Sequence, residues 1–67
     1  MKKIQINKIY KHYKGNIYRV IALGKHSETV EDMVIYQSVE HGDIWCRPAN
    51  MWFDKIDEQT TRFTLID

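Results

Sequence analysis

The densest group of reactive side chains in the sequence is the polar run at positions 26–29. His26, Ser27 and Glu28 supply an imidazole, a hydroxyl and a carboxylate, and Thr29 adds a second hydroxyl. A serine nucleophile needs these groups arranged as a relay, but adjacent residues of an extended chain point to opposite sides. Serine and threonine hydroxyls also bond readily to nearby backbone in turns. We therefore expect no enzyme, and interpret the run either as a ligand contact or as a structured turn.

A second candidate site combines aromatic rings with a cation. Tyr36, Trp45 and Arg47 fall on two predicted strands that flank a hairpin turn. A ring beside a guanidinium can bind a peptide, a nucleic-acid base or an anion by stacking and charge-assisted hydrogen bonds. We predict that these three residues form a binding face, with the 26–29 run at its rim. The alternative is that Trp45 belongs to the core and that Arg47 pairs with Glu28 or Glu31.

The hairpin turn is predicted at Glu40-His41-Gly42-Asp43, between strands at 32–39 and 44–47. The central His41-Gly42 suits a two-residue turn, which pairs Glu40 with Asp43, and a four-residue loop gives the same register. Tyr36 then lies opposite Arg47, and residues that pair directly share a face. The other face is mostly apolar and is assigned to the core; it carries Met33, Ile35, Gln37, Val39, Ile44 and Cys46.

Metal and phosphate motifs are missing from the sequence. The histidines at positions 12, 26 and 41 and the single Cys46 lack the short paired spacing of metal sites. The glycines are isolated, so no glycine-rich phosphate loop is present. We predict no metal and no cofactor. Cys46, on the face assigned to the core, is expected to be a small buried hydrophobe.

Period-two alternation and turn residues divide the chain into short strands. These are predicted at 9–13, 17–25, 32–39, 44–47, 53–56 and 62–66, with one 3₁₀ turn near Pro48-Trp52. One face of the longest strand is predicted to carry Tyr18, Val20, Ala22 and Gly24. Five to six short antiparallel strands with one helical turn indicate an all-β fold, a small barrel or β-roll that protects its sheet edges.

Length and composition bound the remaining expectations. With 67 residues the chain has room for one domain, predicted at 9–67, after an arm or edge strand at 1–8. No apolar run approaches the roughly 18 residues of a membrane helix, and the start of the chain lacks a signal-peptide pattern. The single cysteine excludes an internal disulfide. We expect a cytoplasmic protein that binds no membrane and is a monomer or a weak homo-oligomer.

The net charge of +1 conceals an asymmetry along the chain. Seven of the ten basic residues precede Val30, whereas eight of the nine acidic residues follow it. Halves of opposite charge can mark an electrostatic binding surface. Interleaved strands from both halves would instead balance the charge over the surface, and the scattered basic residues favour this second interpretation.

Short motifs follow one another in a specific order from about Ile9 to Ile66. They are Tyr10-Lys11-His12-Tyr13-Lys14-Gly15, Tyr18, His26-Ser27-Glu28-Thr29, Val34-Ile35-Tyr36, Trp45-Cys46-Arg47-Pro48, Met51 and Arg62-Phe63. This ordered set resembles the bacterial domain of unknown function 1653 family. The resemblance implies an SH3-like β-barrel or roll and no assigned activity. Trp52 departs from the family pattern, which usually has phenylalanine there, and this exchange of large apolar rings leaves the fold unaffected.

Two functional hypotheses remain open at this point. The first is a non-enzymatic binding module that recognises a small ligand, a peptide or a nucleic acid through the face of Tyr36, Trp45 and Arg47. The second is a structural or regulatory protein–protein interaction domain that uses an edge strand. Ile4 and Ile6, which alternate in the N-terminal arm, motivate the second hypothesis.

Overall fold

Short strands make up most of the computed structural model, which describes residues 3–67. In chain order the elements of this part are β1 (Ile9–His12), β2 (Ile17–Lys25), β3 (Asp32–Ser38), β4 (Ile44–Pro48), a 3₁₀ turn (Ala49–Met51), β5 (Lys55–Asp57), β6 (Thr60–Thr61) and β7 (Phe63–Leu65). Five strands form one antiparallel sheet in the order β4-β3-β2-β1-β7, and β5 pairs with β6 alone. The predicted all-β fold and its 3₁₀ turn after Pro48 are confirmed.

The main sheet is not closed into a barrel. Strands β4 and β7 lie at its two edges and do not pair with each other. Between β4 and β7 the chain forms the 3₁₀ turn and the β5–β6 hairpin. This segment, and not a hydrogen-bonded ladder, connects the two edges. Pro48, the last residue of β4, also has no amide hydrogen to extend a ladder.

A bulge in β2 divides the face that alternation predicts for this strand. Val20 pairs with Tyr36, but the next pair is Ala22 with Ile35, so Ile21 is the extra residue. Because directly paired residues share a face, Val20 lies on the face of Tyr36 whereas Ala22 lies on the opposite one. The prediction that Tyr18, Val20, Ala22 and Gly24 share one face is therefore wrong beyond Val20. A single inserted residue shifts every later side chain to the other side.

The core lies on the face of β3 that was predicted to be open. Its buried residues are Tyr10, Val20, Val34, Tyr36, Trp52 and Phe63, joined by the polar Ser38. The face assigned to the core is outside: Ile44 is 63% exposed, Val39 is 54% exposed and Cys46 is also exposed. Both faces of the hairpin are apolar enough to be buried, so the choice depends on which face the later Trp52 and Phe63 cover.

The β3–β4 hairpin has a four-residue loop, which begins at Val39, one residue before the predicted loop of Glu40-His41-Gly42-Asp43. Ser38 N donates to Asp43 O at 2.8 Å and Gly42 N donates to Ser38 O at 2.9 Å, so four residues separate the paired positions. Tyr36 consequently pairs with Trp45, and Val34 with Arg47. The register differs from the predicted one by two residues. A shift of two preserves the side-chain alternation, so Tyr36, Trp45 and Arg47 still share a face.

The centre of the core is a group of aromatic rings around Trp52, the residue that follows the 3₁₀ turn. Its ring stacks on Phe63 with centroids 3.8 Å apart and planes 3° apart. Tyr10 and Tyr36 meet the same indole edge-on, at 5.4 Å and 5.0 Å. Edge-to-face and stacked ring pairs each add about 0.5–1.5 kcal/mol beyond burial. Trp52 therefore joins β1, β3 and β7 into one core.

The N-terminal segment contains no strand within residues 3–8. Ile4 is partly buried against the core, while Gln5 N donates to the Tyr10 hydroxyl at 3.0 Å. Asn7 has a φ of 68° and donates its N–H to Val20 O at 2.8 Å, so the backbone bends here. The prediction for positions 1 and 2 lies outside the described residues. The described part of this segment packs against the fold and offers no edge strand.

Replacing Val34 by alanine tests the assignment of the core face. Val34 is 0% exposed, so losing its two methyl groups should lower the free energy of unfolding by about 2 kcal/mol. Val39→Ala removes the same atoms from a residue that is 54% exposed, and it should cost less than about 0.5 kcal/mol. Urea denaturation of both variants measures the difference. Equal losses would contradict the assignment.

Candidate functional site: a cationic and aromatic cluster

The three residues of the predicted binding face have different surroundings in the structure. Tyr36 is only 5% exposed and belongs to the core, whereas Trp45, its partner across the β3–β4 ladder, is 51% exposed. Arg47 is half-buried and lies two positions along β4. The face is thus shared: one part is covered by Trp52 and Phe63, and the part around Trp45 meets solvent.

Arg47 is held by aromatic residues and not by a carboxylate. Its Nε donates to the Tyr36 hydroxyl at 3.2 Å, and its guanidinium carbon lies 5.4 Å from the centroid of Phe63. Among residues 3–67, no Asp or Glu lies within ion-pair distance of this guanidinium. A half-buried cation is normally neutralised by an acid because removing it from water is costly. Arg47 therefore offers an uncompensated positive charge at the boundary of the core.

His12 brings a second polar group to the same place. It comes from β1, whereas Arg47 comes from β4. It pairs with Phe63 across the β1–β7 ladder, and the two rings meet edge-on at 5.0 Å. Its Nδ1 accepts the backbone N–H of Lys14 at 3.2 Å, which leaves Nε2 as the protonated nitrogen of the neutral ring. Burial lowers the pKa of His12 below 6.5, and the charges of Arg47, Arg62 and Lys14 lower it further.

Arg62 completes the group of cations, immediately before β7. Its guanidinium makes an ion pair with Asp54 at 3.7 Å, and its backbone N–H donates to Asp54 O at 2.7 Å. The Nε of Arg62 is buried and has no hydrogen-bond partner among residues 3–67. One acid thus serves a cluster that contains two arginines and a histidine.

Tyr18 adds another aromatic ring to this group of residues. Its ring meets Tyr36 edge-on at 5.2 Å and Phe63 at 5.8 Å. We refer to His12, Tyr18, Tyr36, Trp45, Arg47, Arg62 and Phe63 as the cationic–aromatic cluster. Tyr36, Trp45 and Arg47 were predicted for the site, but His12, Tyr18, Arg62 and Phe63 were missed. No local pattern identifies them, because they reach the cluster through the β1–β7 and β2–β3 pairings.

The structure does not bring the 26–29 run to this cluster. The run follows Lys25, which pairs with Asp32 at the far end of the β2–β3 hairpin. Asp32 precedes Tyr36 by four residues, and four residues of strand span about 13 Å. His26 Nδ1 accepts the backbone N–H groups of Glu28 at 3.1 Å and Thr29 at 3.3 Å. These bonds are those of a structured turn, and they occupy Nδ1 of the imidazole.

The cluster has the chemistry of an anion site with a planar surface beside it. Arginine presents donors in a fork that matches carboxylate and phosphate groups. The half-exposed ring of Trp45 offers a stacking surface. Within residues 3–67, no three His, Cys, Asp or Glu side chains are grouped closely enough to hold a metal ion. The same part of the chain contains no helix long and apolar enough to cross a membrane.

Comparison with family models identifies one family. The model described as protein of unknown function (DUF1653) matches residues 8–65, most of the chain. The chain therefore belongs to this family. Comparison with curated proteins and with solved structures gives no match.

Removing the charge of Arg47 should raise the pKa of His12. Burial is the first cause of the low pKa and remains, but the largest repulsive charge is lost in Arg47→Gln. The pKa of His12 should therefore move up toward 6.5, as followed by NMR titration of its ring protons. Arg19→Gln is the matched control, because Arg19 is exposed and does not act on His12. A pKa of His12 that stays unchanged in Arg47→Gln would contradict the proximity of His12 and Arg47.

Proposed function

We propose that this chain, whose family has no assigned activity, is a non-enzymatic binding module for anionic ligands. The cationic–aromatic cluster is the binding site. The ligand is a small anion, an acidic peptide or a nucleic-acid segment, all of which present carboxylate or phosphate oxygens. The observation that carries the proposal is the half-buried guanidinium of Arg47, which is fixed by Tyr36 and Phe63 without an acidic partner among residues 3–67.

The electrostatic cost of the cluster supports this proposal. Burial and the charges of Arg47 and Arg62 keep the pKa of His12 low. A further positive charge is therefore unfavourable at this place. A bound anion would relieve the repulsion and pair with the guanidinium of Arg47. Because protonated His12 would then gain a partner, anion binding should strengthen as the pH falls through the pKa of His12.

The aromatic residues support a ligand with a planar or apolar part next to its charge. Trp45 lies two residues from Arg47 on β4, so the two side chains lie on the same face about 7 Å apart along the strand. Ring stacking on an exposed tryptophan contributes about 1–3 kcal/mol for a nucleic-acid base. A ligand that combines an anion with such a group would use both residues at once.

The strand order is consistent with an SH3-like assignment, which we include in the proposal. Strands β1 to β4 follow one another as antiparallel neighbours, a 3₁₀ turn follows β4, and β7 returns to pair with β1. Small β-folds of this kind serve many unrelated binding functions, so the fold by itself selects no ligand. The choice of ligand depends on the cluster.

Arg47→Gln should weaken anion binding about tenfold at low salt, because one charge-assisted contact is lost. The binding assay is NMR titration with inorganic phosphate, a glutamate-rich peptide and a short single-stranded oligonucleotide, with shifts followed at Trp45 and Tyr18. Arg19→Gln makes the same change of charge at an exposed position and should alter affinity less than about twofold. Binding should also decline with salt.

Three results would count against the proposal. The first is that none of the three probes shifts the signals of Trp45 and Tyr18. The second is that Arg47→Gln and Arg19→Gln lose equal affinity, which indicates attraction by net charge alone. The third is that binding of the oligonucleotide, whose phosphodiester groups stay charged, weakens as the pH falls. Circular dichroism establishes that Arg47→Gln is folded. Arg47→Lys keeps the positive charge but removes the Nε that donates to the Tyr36 hydroxyl. It therefore separates the effect of the charge from that of the hydrogen bond.

A second function, pairing through an edge strand, is favoured by the composition of β4. This strand lies at the edge of the main sheet, and its Ile44 is 63% exposed, beside the exposed Trp45 and Cys46. An exposed apolar edge is a template for adding another strand. This edge replaces the N-terminal arm as the surface for the interaction hypothesis, since Ile4 packs against the core.

Ile44→Lys should abolish self-association if β4 pairs with a second copy. Lysine on an edge strand opposes such pairing through charge and desolvation. Light scattering over a range of protein concentrations measures the mass of the parent chain and of the variant. Ile66→Lys makes the same exchange at another exposed position outside β4 and is the control. A chain that stays monomeric at every concentration contradicts pairing with itself.

A further inference from the structure

A small cavity opens next to the cationic–aromatic cluster but has the opposite charge. Its volume is about 170 Å³, and the rings of Tyr18 and Trp45 form two of its walls. The β3–β4 loop supplies Glu40, His41 and Asp43 to its lining. No lysine or arginine lines the cavity within the part of the chain that the structure describes. Two aromatic rings and two carboxylates are the combination that recognises an organic cation.

The carboxylates are not neutralised by a strong cation in the structure. Asp43 makes no ion pair among residues 3–67, and Glu40 lies 3.8 Å from the exposed ring of His41. Arg47 is the nearest cation on β4, but its guanidinium is bonded to the Tyr36 hydroxyl and packs on Phe63. The negative charge of the cavity is therefore available to a ligand.

The loop that carries the carboxylates is fixed by its own hydrogen bonds. Besides the two backbone bonds of the turn, His41 N donates to Ser38 Oγ at 3.0 Å, and Gln37 Nε2 donates to Gly42 O at 2.9 Å. Ser38 itself is buried, so the loop is attached to the core. The backbone at Glu40 and Asp43 consequently keeps its position relative to Trp45, and a ligand need not order the loop.

The size of the cavity limits what can enter. Sites for drug-sized ligands measure about 300–1,000 Å³, whereas this cavity of about 170 Å³ suits a single small group. We infer that it binds an alkylammonium group, either the side chain of a lysine in a partner protein or a free primary amine. The ammonium would lie against the ring of Trp45 with the carboxylates of Glu40 and Asp43 around it.

Titration with n-butylammonium, followed by NMR at the indole N–H of Trp45, tests this inference. The signal should shift and saturate, and n-butanol, the neutral probe of similar shape, should bind at least about fivefold more weakly. The double variant Glu40→Gln, Asp43→Asn should weaken n-butylammonium binding by a similar factor. Glu28→Gln with Glu58→Gln removes the same charge from exposed positions elsewhere and should leave the affinity unchanged.

Further variants separate this site from the anion site. Trp45→Ala should abolish the binding, read then from the Tyr18 signals, while Arg47→Gln should preserve or strengthen it. A lysine-containing peptide that binds more tightly than n-butylammonium indicates a protein partner, and equal affinities indicate a free amine. Equal binding of n-butanol and n-butylammonium would overturn the inference, as would an unchanged affinity in Glu40→Gln, Asp43→Asn. Both results would leave the proposed anion site standing.

Discussion

The contact between Trp52 and Phe63 is the interaction on which the rest of the fold depends. One ring follows the 3₁₀ turn and the other begins β7, and they stack at 3.8 Å under the face of the sheet. Truncating such a buried ring costs about 3–5 kcal/mol, which is comparable with the whole stability of a small domain. The sheet remains open at its edges, so this stacked pair, and not barrel closure, fixes its curved face.

The candidate site is built on the same residues as the core. Tyr36 is buried against Trp52, yet its hydroxyl accepts from Arg47, and Phe63 touches Trp52, His12 and Arg47. A residue of this kind contributes to stability and is also part of the proposed binding site. Substitutions that separate the two roles must therefore be made at Arg47, Trp45 or the loop acids, which lie at the margin of the core.

Two oppositely charged subsites would meet at the ring of Tyr18. It contacts Tyr36 and Phe63 in the cationic–aromatic cluster, and it also lines the cavity with Glu40 and Asp43. The charge asymmetry along the chain does not account for this arrangement, because Arg47 and Arg62 follow Val30 just as the acids of the β3–β4 loop do. The strands interleave the basic and acidic halves of the chain, but near Tyr18 the positive and negative side chains remain on separate sides of a short distance.

The sequence by itself determined the all-β class, the 3₁₀ turn after Pro48 and the common face of Tyr36, Trp45 and Arg47. Each depends on local chemistry or on period-two alternation, which survives a register error of two residues. Only the tertiary structure decided which face is buried, the bulge at Ile21, and the meeting of Arg47 with His12. These depend on contacts between residues distant in the chain. The two faces of the β3–β4 hairpin are similarly apolar, so the sequence does not reveal which of them Trp52 and Phe63 cover.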